Sequence, residues 1–447
     1  MLRTAALTIV ACAASAFGVG PDVVLSDVQS TSNYGLVGSI RGYAIGSHTC
    51  NIGNQNLLWT NNGTPGLAMN MYRLHDGRLK QIGLSWVKMA CCAAAGSGCG
   101  LGCNGAGGSV LGAGCLDVYS SGWNGGQTRL GPRSGINAWT GQFSGIPGGS
   151  GNAIFRRIQV EQADLVTASF PGALYFIEGV YVGSDDAANS NRNNNASYKR
   201  VNVNQSTFNL ELQGANTTGI PALRAWRDHG GGVGVVDTSV SVNSIDVPNE
   251  GRFWYAGKAR DLGNGTWRYD FLVFNLSSDR SGGSLSIPLS PGVTLTNVGF
   301  HAPLYHSGEP YANSPWVFTQ TATSAEWTTP QTFAQNANSS ALRWGTMYSF
   351  WFDANVGPVS GTGNETATLG LFKPGTPASI ALTGLPLPST LCRADFNGSG
   401  GTPDEADVAA FFAAWNDGLP SADFNMSGGV PDDADVAKFF EAWDAGC

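Results

Sequence analysis

Residues 253–276 read FWYAGKARDLGNGTWRYDFLVFNL. Two β-forming runs, 253–259 and 266–276, flank the segment Asp261-Leu262-Gly263-Asn264-Gly265. Strand side chains alternate with period two, which puts Trp267, Tyr269, Phe271 and Val273 on one face. Asn-Gly suits a tight hairpin, where the turn needs positive φ. The same grammar recurs on both sides. Residues 71–74 lead through His75-Asp76-Gly77 into 78–88, where Ile82, Leu84 and Trp86 alternate with Gly83, Ser85 and Val87. Further strands are expected at 173–182, 199–203, 207–213, 284–289, 293–300, 347–353 and 366–372, with short helical turns at 161–168 and 221–228. Many short strands and almost no amphipathic helix predict a mainly β chain: an antiparallel β-sandwich, jelly-roll-like, with one or two pairs of sheets.

The C-terminus follows a different pattern. Residues 394–418 read ADFNGSGGTPDEADVAAFFAAWNDG, and 422–446 read ADFNMSGGVPDDADVAKFFEAWDAG, 28 residues on. Near-identity at a fixed offset marks one duplicated supersecondary unit. Each unit opens Asp-x-Asn-x-Ser-Gly. Oxygen donors at loop positions 1, 3 and 5, followed by glycine at 6, open an EF-hand calcium loop. The predicted donors are Asp395, Asn397, Ser399, Gly401, Asp404 and Asp407, and then Asp423, Asn425, Ser427, Gly429, Asp432 and Asp435. Two Ca2+ sites are therefore expected, unless the acidic turns are merely solvated. Thr402-Pro403-Asp404-Glu405 reads as a capping box opening a helix. Val408, Phe411, Phe412 and Trp415 form an apolar stripe, repeated by Val436, Phe439, Phe440 and Trp443. The stripes are expected to pack on each other, making a small all-α module at 392–447. Cys392 and Cys447 bracket it, and joining them could contribute about 4 kcal/mol.

On those residues, the last 56 or so positions resemble the dockerin family. They are closer still to variant repeats ending in Gly-Cys on secreted proteins of planctomycete-type bacteria. The resemblance implies a non-catalytic, EF-hand-like calcium module that docks its carrier onto a cohesin-like or other cell-surface protein. Three departures stand out. The closing Asp407 and Asp435 fall at loop position 13 rather than 12, serine replaces the usual aspartate at position 5, and the repeat spacing exceeds the cellulosomal type. The main domain is similar in style to uncharacterised exported proteins of the same bacteria, which implies no activity.

Composition agrees with an exported chain. Charged residues are 13% of the total, against ~25% in an ordinary soluble domain. The net charge of −8 is concentrated in residues 392–447, which hold eleven acids and two bases. The remainder is nearly neutral, and no basic patch suggests nucleic acid. Arg3, the apolar run 4–13 and Ala14-Ser15-Ala16 have the form of a signal peptide ending at 16. The apolar run before Cys12 is too short for a lipoprotein box. No later run reaches the ~18 apolar residues of a membrane helix. The expected division is signal peptide 1–16, main domain 17–387, linker 388–391 among closely spaced prolines, and module 392–447.

Eight cysteines remain after the leader: Cys50, Cys91, Cys92, Cys99, Cys103, Cys115, Cys392 and Cys447. An even count in an exported chain reads as four disulfides. With Cys392 joined to Cys447, six cysteines leave 15 connectivities, and adjacent Cys91 and Cys92 are not expected to join. The Gly-rich stretch 91–115 needs such bridges because it has little to pack. A metal cluster is the alternative there, but no C-x-x-C pair supports it.

Little in the chain looks catalytic. GFHAPLYHSGEPY, residues 299–311, gathers His301, His306 and Glu309 with Tyr305 and Tyr311. It is a candidate ligand site, although H-x4-H-x2-E matches no known motif. The carboxylates Glu178, Asp270, Glu326 and Asp353 are candidates for an acid–base pair; Glu178 is expected in water on an edge strand. Residues 183–197, GSDDAANSNRNNNAS, read as a solvated loop or as a cation loop using Asp185, Asp186 and the asparagines. No G-x-S-x-G, H-E-x-x-H or Walker sequence occurs. The reading is thus a secreted, surface-attached protein with a non-catalytic binding or structural β domain. The alternative is a secreted hydrolase acting on polysaccharide and anchored by the same tail.

Overall fold

The structure is a computed structural model, which describes residues 19–61, 63–290, 292–360, 366–388, 394–399, 403–425 and 427–445. The expected signal peptide, linker residues 389–391, Gly401, and the cysteines at 392 and 447 lie outside these residues.

The hairpin expected around residue 76 is the longest element. Strands Gly63–His75 and Arg78–Ala90 meet at Asp76 and Gly77, whose φ values of 49° and 69° suit a two-residue turn. They lie in a nine-stranded antiparallel sheet. Its order runs Leu210–Thr217, Ala196–Val203, Leu174–Val182, Gly63–His75, Arg78–Ala90, Ile158–Glu161, Ile40–Ile45, Thr31–Val37, and Leu130–Gly131 pairs with Arg78–Ala90. A three-stranded sheet, Val23–Asp27, Ser47–Asn51 and Leu116–Tyr119, covers one face of it. The opposite face packs on a five-stranded sheet ordered Ser241–Val247, Gly251–Asp261, Trp267–Asn275, Thr346–Ala354, Leu295–His301. A fourth sheet, Val317–Gln320, Ser324–Thr328, Gly282–Pro288, Ala367–Leu371, Ser379–Leu382, closes the stack.

Alternation places the three cores between these four layers. In Leu174–Val182, Tyr175, Ile177 and Tyr181 enter the first core, while Phe176, Val180 and Val182 enter the second. In Trp267–Asn275, Leu272 and Phe274 enter the second core, and Tyr269, Phe271 and Val273 the third. Both middle sheets are therefore dry on two faces, which antiparallel sheets often are not. Close approach is needed at Gly179, where a Cβ would lie 2.5 Å from a methyl of Leu25 in the covering sheet.

Several expectations change in detail. The turn at 261–266 is a longer loop closed by the Leu262 N–H on the Thr266 carbonyl (2.9 Å). Gly263 and Gly265, not Asn264, take positive φ there, both 77°. Pro386–Pro388 pairs with Pro358–Ser360, so Pro388 belongs to a strand and not to a linker. Among the described cysteines the disulfides are Cys50–Cys99 and Cys103–Cys115, while Cys91 and Cys92 are free thiols. The expectation of four bridges fails at this pair. Their Sγ atoms lie 3.2 Å apart at the end of the long hairpin, on neighbouring residues.

At the C-terminus, helices Glu405–Asn416 and Asp433–Ala445 set their aromatic stripes together. Phe411 and Phe439 stack at 4.2 Å, flanked edge-on by Phe396 and Phe424. The first helix is capped by Asp404 with Asp407 as the reciprocal partner, and Thr402 of the expected box lies outside the described residues. Among the described residues no helix is long and apolar enough to cross a membrane.

Candidate functional site

The expected ligand residues do not converge. His301 ends its strand and donates from Nε2 to the Gln81 carbonyl (2.8 Å). His306 is buried beside Trp86 (ring centroids 5.5 Å), and its Nδ1 accepts the Gly308 N–H (3.1 Å). The proton must then sit on Nε2, which has no hydrogen-bond partner. Glu309 accepts from the Arg133 and Ser134 N–H groups (2.6 and 3.1 Å), capping the turn Arg133–Gly135. Each group braces a different part of the junction between the second and third sheets. Burial lowers His301 to about 4 and His306 to about 3.

These two shifts make a pH prediction. Both folded values lie below the ordinary 6.5, so the unfolded chain binds the extra protons. Stability should fall as pH drops below about 6.5, by up to ~1.4 kcal/mol per pH unit for each histidine. Buried carboxyls with raised values, Glu178 and Glu309, oppose that slope. The comparison of native chain with His306→Phe therefore isolates the histidine. Urea midpoints at pH 7.5 and 5 should diverge less in the variant, and identical divergence would refute the assignment.

Sequence reasoning missed the centre of this junction. Glu178 lies in a central strand and is fully buried, not at an edge in water. Its Oε2 accepts from Tyr72 Oη (2.6 Å) and Asn70 Nδ2 (2.8 Å), and its Oε1 from the Ala222 N–H (2.7 Å). Asn70 Oδ1 in turn accepts from Arg133 Nη2 (2.8 Å). Arg133 also donates to the carbonyls of Ser85 (2.7 Å), Gly345 (2.8 Å) and Met69 (3.1 Å). Burial raises Glu178, against the opposing pull of Tyr72, Ala222, Asn70 and Arg133. The network ties two sheets together. A cleft of about 180 Å3 opens beside His301, lined by Phe300, Leu304, Tyr305, Asn313 and Tyr348. It is small against the ~300 Å3 of a typical ligand pocket and has no carboxylate.

The other acid candidates are held by arginines. Asp270 pairs with Arg78 (2.6 Å) and Asp353 with Arg268 (2.8 Å). Trp351, facing Asp270 across the ladder, is covered by the Arg78 guanidinium (3.9 Å) and packs against Gly299. Glu326 lies in the outer sheet, opposite Ser286 and Thr319.

The two C-terminal turns repeat each other bond for bond. Asp395 Oδ1 and Asn397 Oδ1 accept from the Ser399 N–H (2.9 and 2.7 Å). Asp407 accepts from the Asn397 and Asp404 N–H groups (both 2.9 Å). In the second turn Asp423 and Asn425 accept from the Ser427 N–H (both 2.8 Å), and Asp435 from Asn425 and Asp432 (both 2.8 Å). Asp404 and Asp432 turn their Oδ1 atoms onto the N–H groups of Ala406 and Ala434. Asp407 and Asp435 are buried. Among the described residues no three His, Cys, Asp or Glu side chains gather as a metal group, so amide, hydroxyl and main-chain oxygens would have to complete any cation site. Gly429 lies beside Ser427, whose hydroxyl would be 3.9 Å from a Cβ there.

No protein-family model matches the chain, and no curated protein matches it. A complex of the Amycolatopsis orientalis exo-chitosanase CsxA with PNP-beta-D-glucosamine aligns at 8% identity, over 76% of this chain and 25% of that one, with a TM-score of 0.14. A second crystal structure of that exo-chitosanase aligns at 9% identity with the same coverage and TM-score. The chain spans about a quarter of their length. Likeness at this level carries no argument about fold or activity. What the fold defines is a mainly β, multilayer antiparallel protein with disulfides and a C-terminal pair of helices.

Proposed function

We propose that the chain is an exported, surface- or complex-attached protein whose dockerin-like tail binds calcium and docks onto a cohesin-like or other cell-surface partner. The β body is then a non-catalytic binding or structural domain. One observation carries the reading: two turns, 28 residues apart, hold the same Asp, Asn, Ser and Asp in the same hydrogen bonds. The donors are all oxygen, as a hard cation requires. Carboxylate, amide and hydroxyl oxygens stand at matching places in both turns, so the residue types present fit calcium. Bound there, calcium would supply positive charge between the acidic turns and fasten each turn to the helix it precedes.

A module as small as this pair of helices, with so small a core, usually needs such a staple. The alternative, a polysaccharide hydrolase, draws no support from Glu178, Asp270 or Asp353, which are hydrogen-bonded in the core or paired with arginine.

Calcium should raise the melting temperature of the tail, followed through Trp415 and Trp443. Asp395→Ala combined with Asp423→Ala should abolish the rise. Superimposable melting curves in calcium and in chelator would defeat the reading.

A further inference from the structure

The segment 183–195, rich in acid and amide, is exposed only at 188–190 and is otherwise packed inward. Its short helix Ser184–Ala188 and the turn Arg192–Asn194 lie against the start of the first strand. Asp186 is fully buried, and Asp22 and Asn195 are 5% and 2% exposed. Asp186 accepts from the Val23 N–H (3.0 Å) and from Asn195 Nδ2 (2.8 Å). Asn194 Nδ2 donates to Asp22 Oδ1 (3.0 Å), and Asp185 Oδ2 accepts the Leu58 N–H (2.7 Å).

What remains is a set of oxygens with nothing to bond. Oδ1 of Asp185, Asn193, Asn194 and Asn195 are all shut off from solvent with no hydrogen-bond partner. Orphans of this kind cost free energy, and a run of them on neighbouring residues needs a cause. Asp22 and Asp186 are themselves buried carboxylates. The nearby Arg192 guanidinium lies on the Trp139 ring (3.6 Å) and donates to the Ala187 carbonyl. Of the unpartnered buried atoms in 185–195, four are oxygens and one, Arg192 Nε, is a donor.

We infer that this pocket is a divalent-cation site of the β body, built for calcium and separate from the C-terminal turns. Asp22 and Asp186 supply the two charges, and Asn194 and Asn195 the amide oxygens, with Asp185 and Asn193 beside them. Among the described residues no three His, Cys, Asp or Glu side chains gather as a metal group, so the amide oxygens would have to complete the set. No nitrogen or sulfur ligand is in the set, which disfavours zinc and copper. Calcium takes six to eight oxygens in flexible geometry, whereas magnesium keeps several of its waters. The ion would fasten the first strand to the segment that follows Leu174–Val182.

The test uses the full chain carrying Asp395→Ala and Asp423→Ala, which separates this site from the tail. After chelation and equilibrium dialysis against calcium, one ion should be retained per chain. Adding Asn195→Ala or Asp186→Asn should remove it while near-ultraviolet circular dichroism shows the body folded. Terbium should bind in its place with luminescence excited through Trp139, and Trp139→Phe should lose the luminescence but keep the calcium. If the tail-neutralised chain retains no calcium, the site does not exist, even where Asp186→Asn fails to fold. Retention unchanged by Asn195→Ala and Asp186→Asn would equally overturn it. Neither result bears on calcium in the C-terminal turns.

Discussion

Arg133→Ala should be among the most destabilising single substitutions in the body, costing about 3–5 kcal/mol. The guanidinium is buried and joins Asn70, three main-chain carbonyls and, through Asn70, the Glu178 carboxylate. Truncation strands those acceptors in a dry interface and leaves Glu178 without its nearest buried cation. It also removes the guanidinium 5.6 Å from the Trp344 ring, leaving that indole held by its N–H on the residue-133 carbonyl (3.1 Å). Urea unfolding followed by tryptophan fluorescence measures the loss. A surface control is Arg252→Ala, which breaks the partly exposed pair with Asp246 (2.6 Å) and should cost less than about 1 kcal/mol. Equal costs for the two would mean that the junction between the middle sheets does not depend on this network.

Phe439→Ala should unfold the C-terminal helices while the β body stays intact. Phe411 and Phe439 are fully buried and stacked, and together with Phe396 and Phe424 they make most of a core separate from those of the body. Removing a buried phenylalanine costs ~3–5 kcal/mol, about as much as a small module has in total. The second helix should then become the first site of proteolysis. Trp415 should lose its hydrogen bond to the Asp432 carbonyl (3.2 Å), a contact from one repeat to the other. The body should keep its urea midpoint. Protease resistance of the tail equal to that of the native chain would show that the aromatic stack does not hold it together.

The two experiments probe parts of very different legibility. Every device in the tail is local. The apolar stripes repeat at helical spacing, the capping carboxylates are three residues apart, and the duplication states the partner of each helix. Even there the capping residue is Asp404, whose N–H Asp407 reaches. The strands of the body were also readable, from alternation and from Asp76-Gly77. How many sheets they form was not. A run such as Leu174–Val182 is apolar on both faces, and that pattern fits any dry strand, whatever covers it.

The polar residues of the body divide along the same line. Nothing near Glu178 in sequence announces Asn70, Tyr72 or Arg133, which lie 108, 106 and 45 residues away and meet it only through sheet register and packing. The expected cluster at His301, His306 and Glu309 failed for the opposite reason. Closeness in sequence on an irregular loop let each side chain turn to a different neighbour. The free thiols follow this rule too, since bridges depend on where Cys50 and Cys115 are brought, not on the count.

From sequence alone came the β class, the duplicated acidic turns and the aromatic faces behind them, because each is written in neighbours within one strand or one helix. The four-layer stack, the burial of Glu178 on Asn70 and Arg133, and the enclosure of Asp22 with Asp186 and the asparagines were decided by tertiary structure. Their partners are far apart along the chain, and only packing sets which polar groups lose water together and must therefore bond to one another or to an ion.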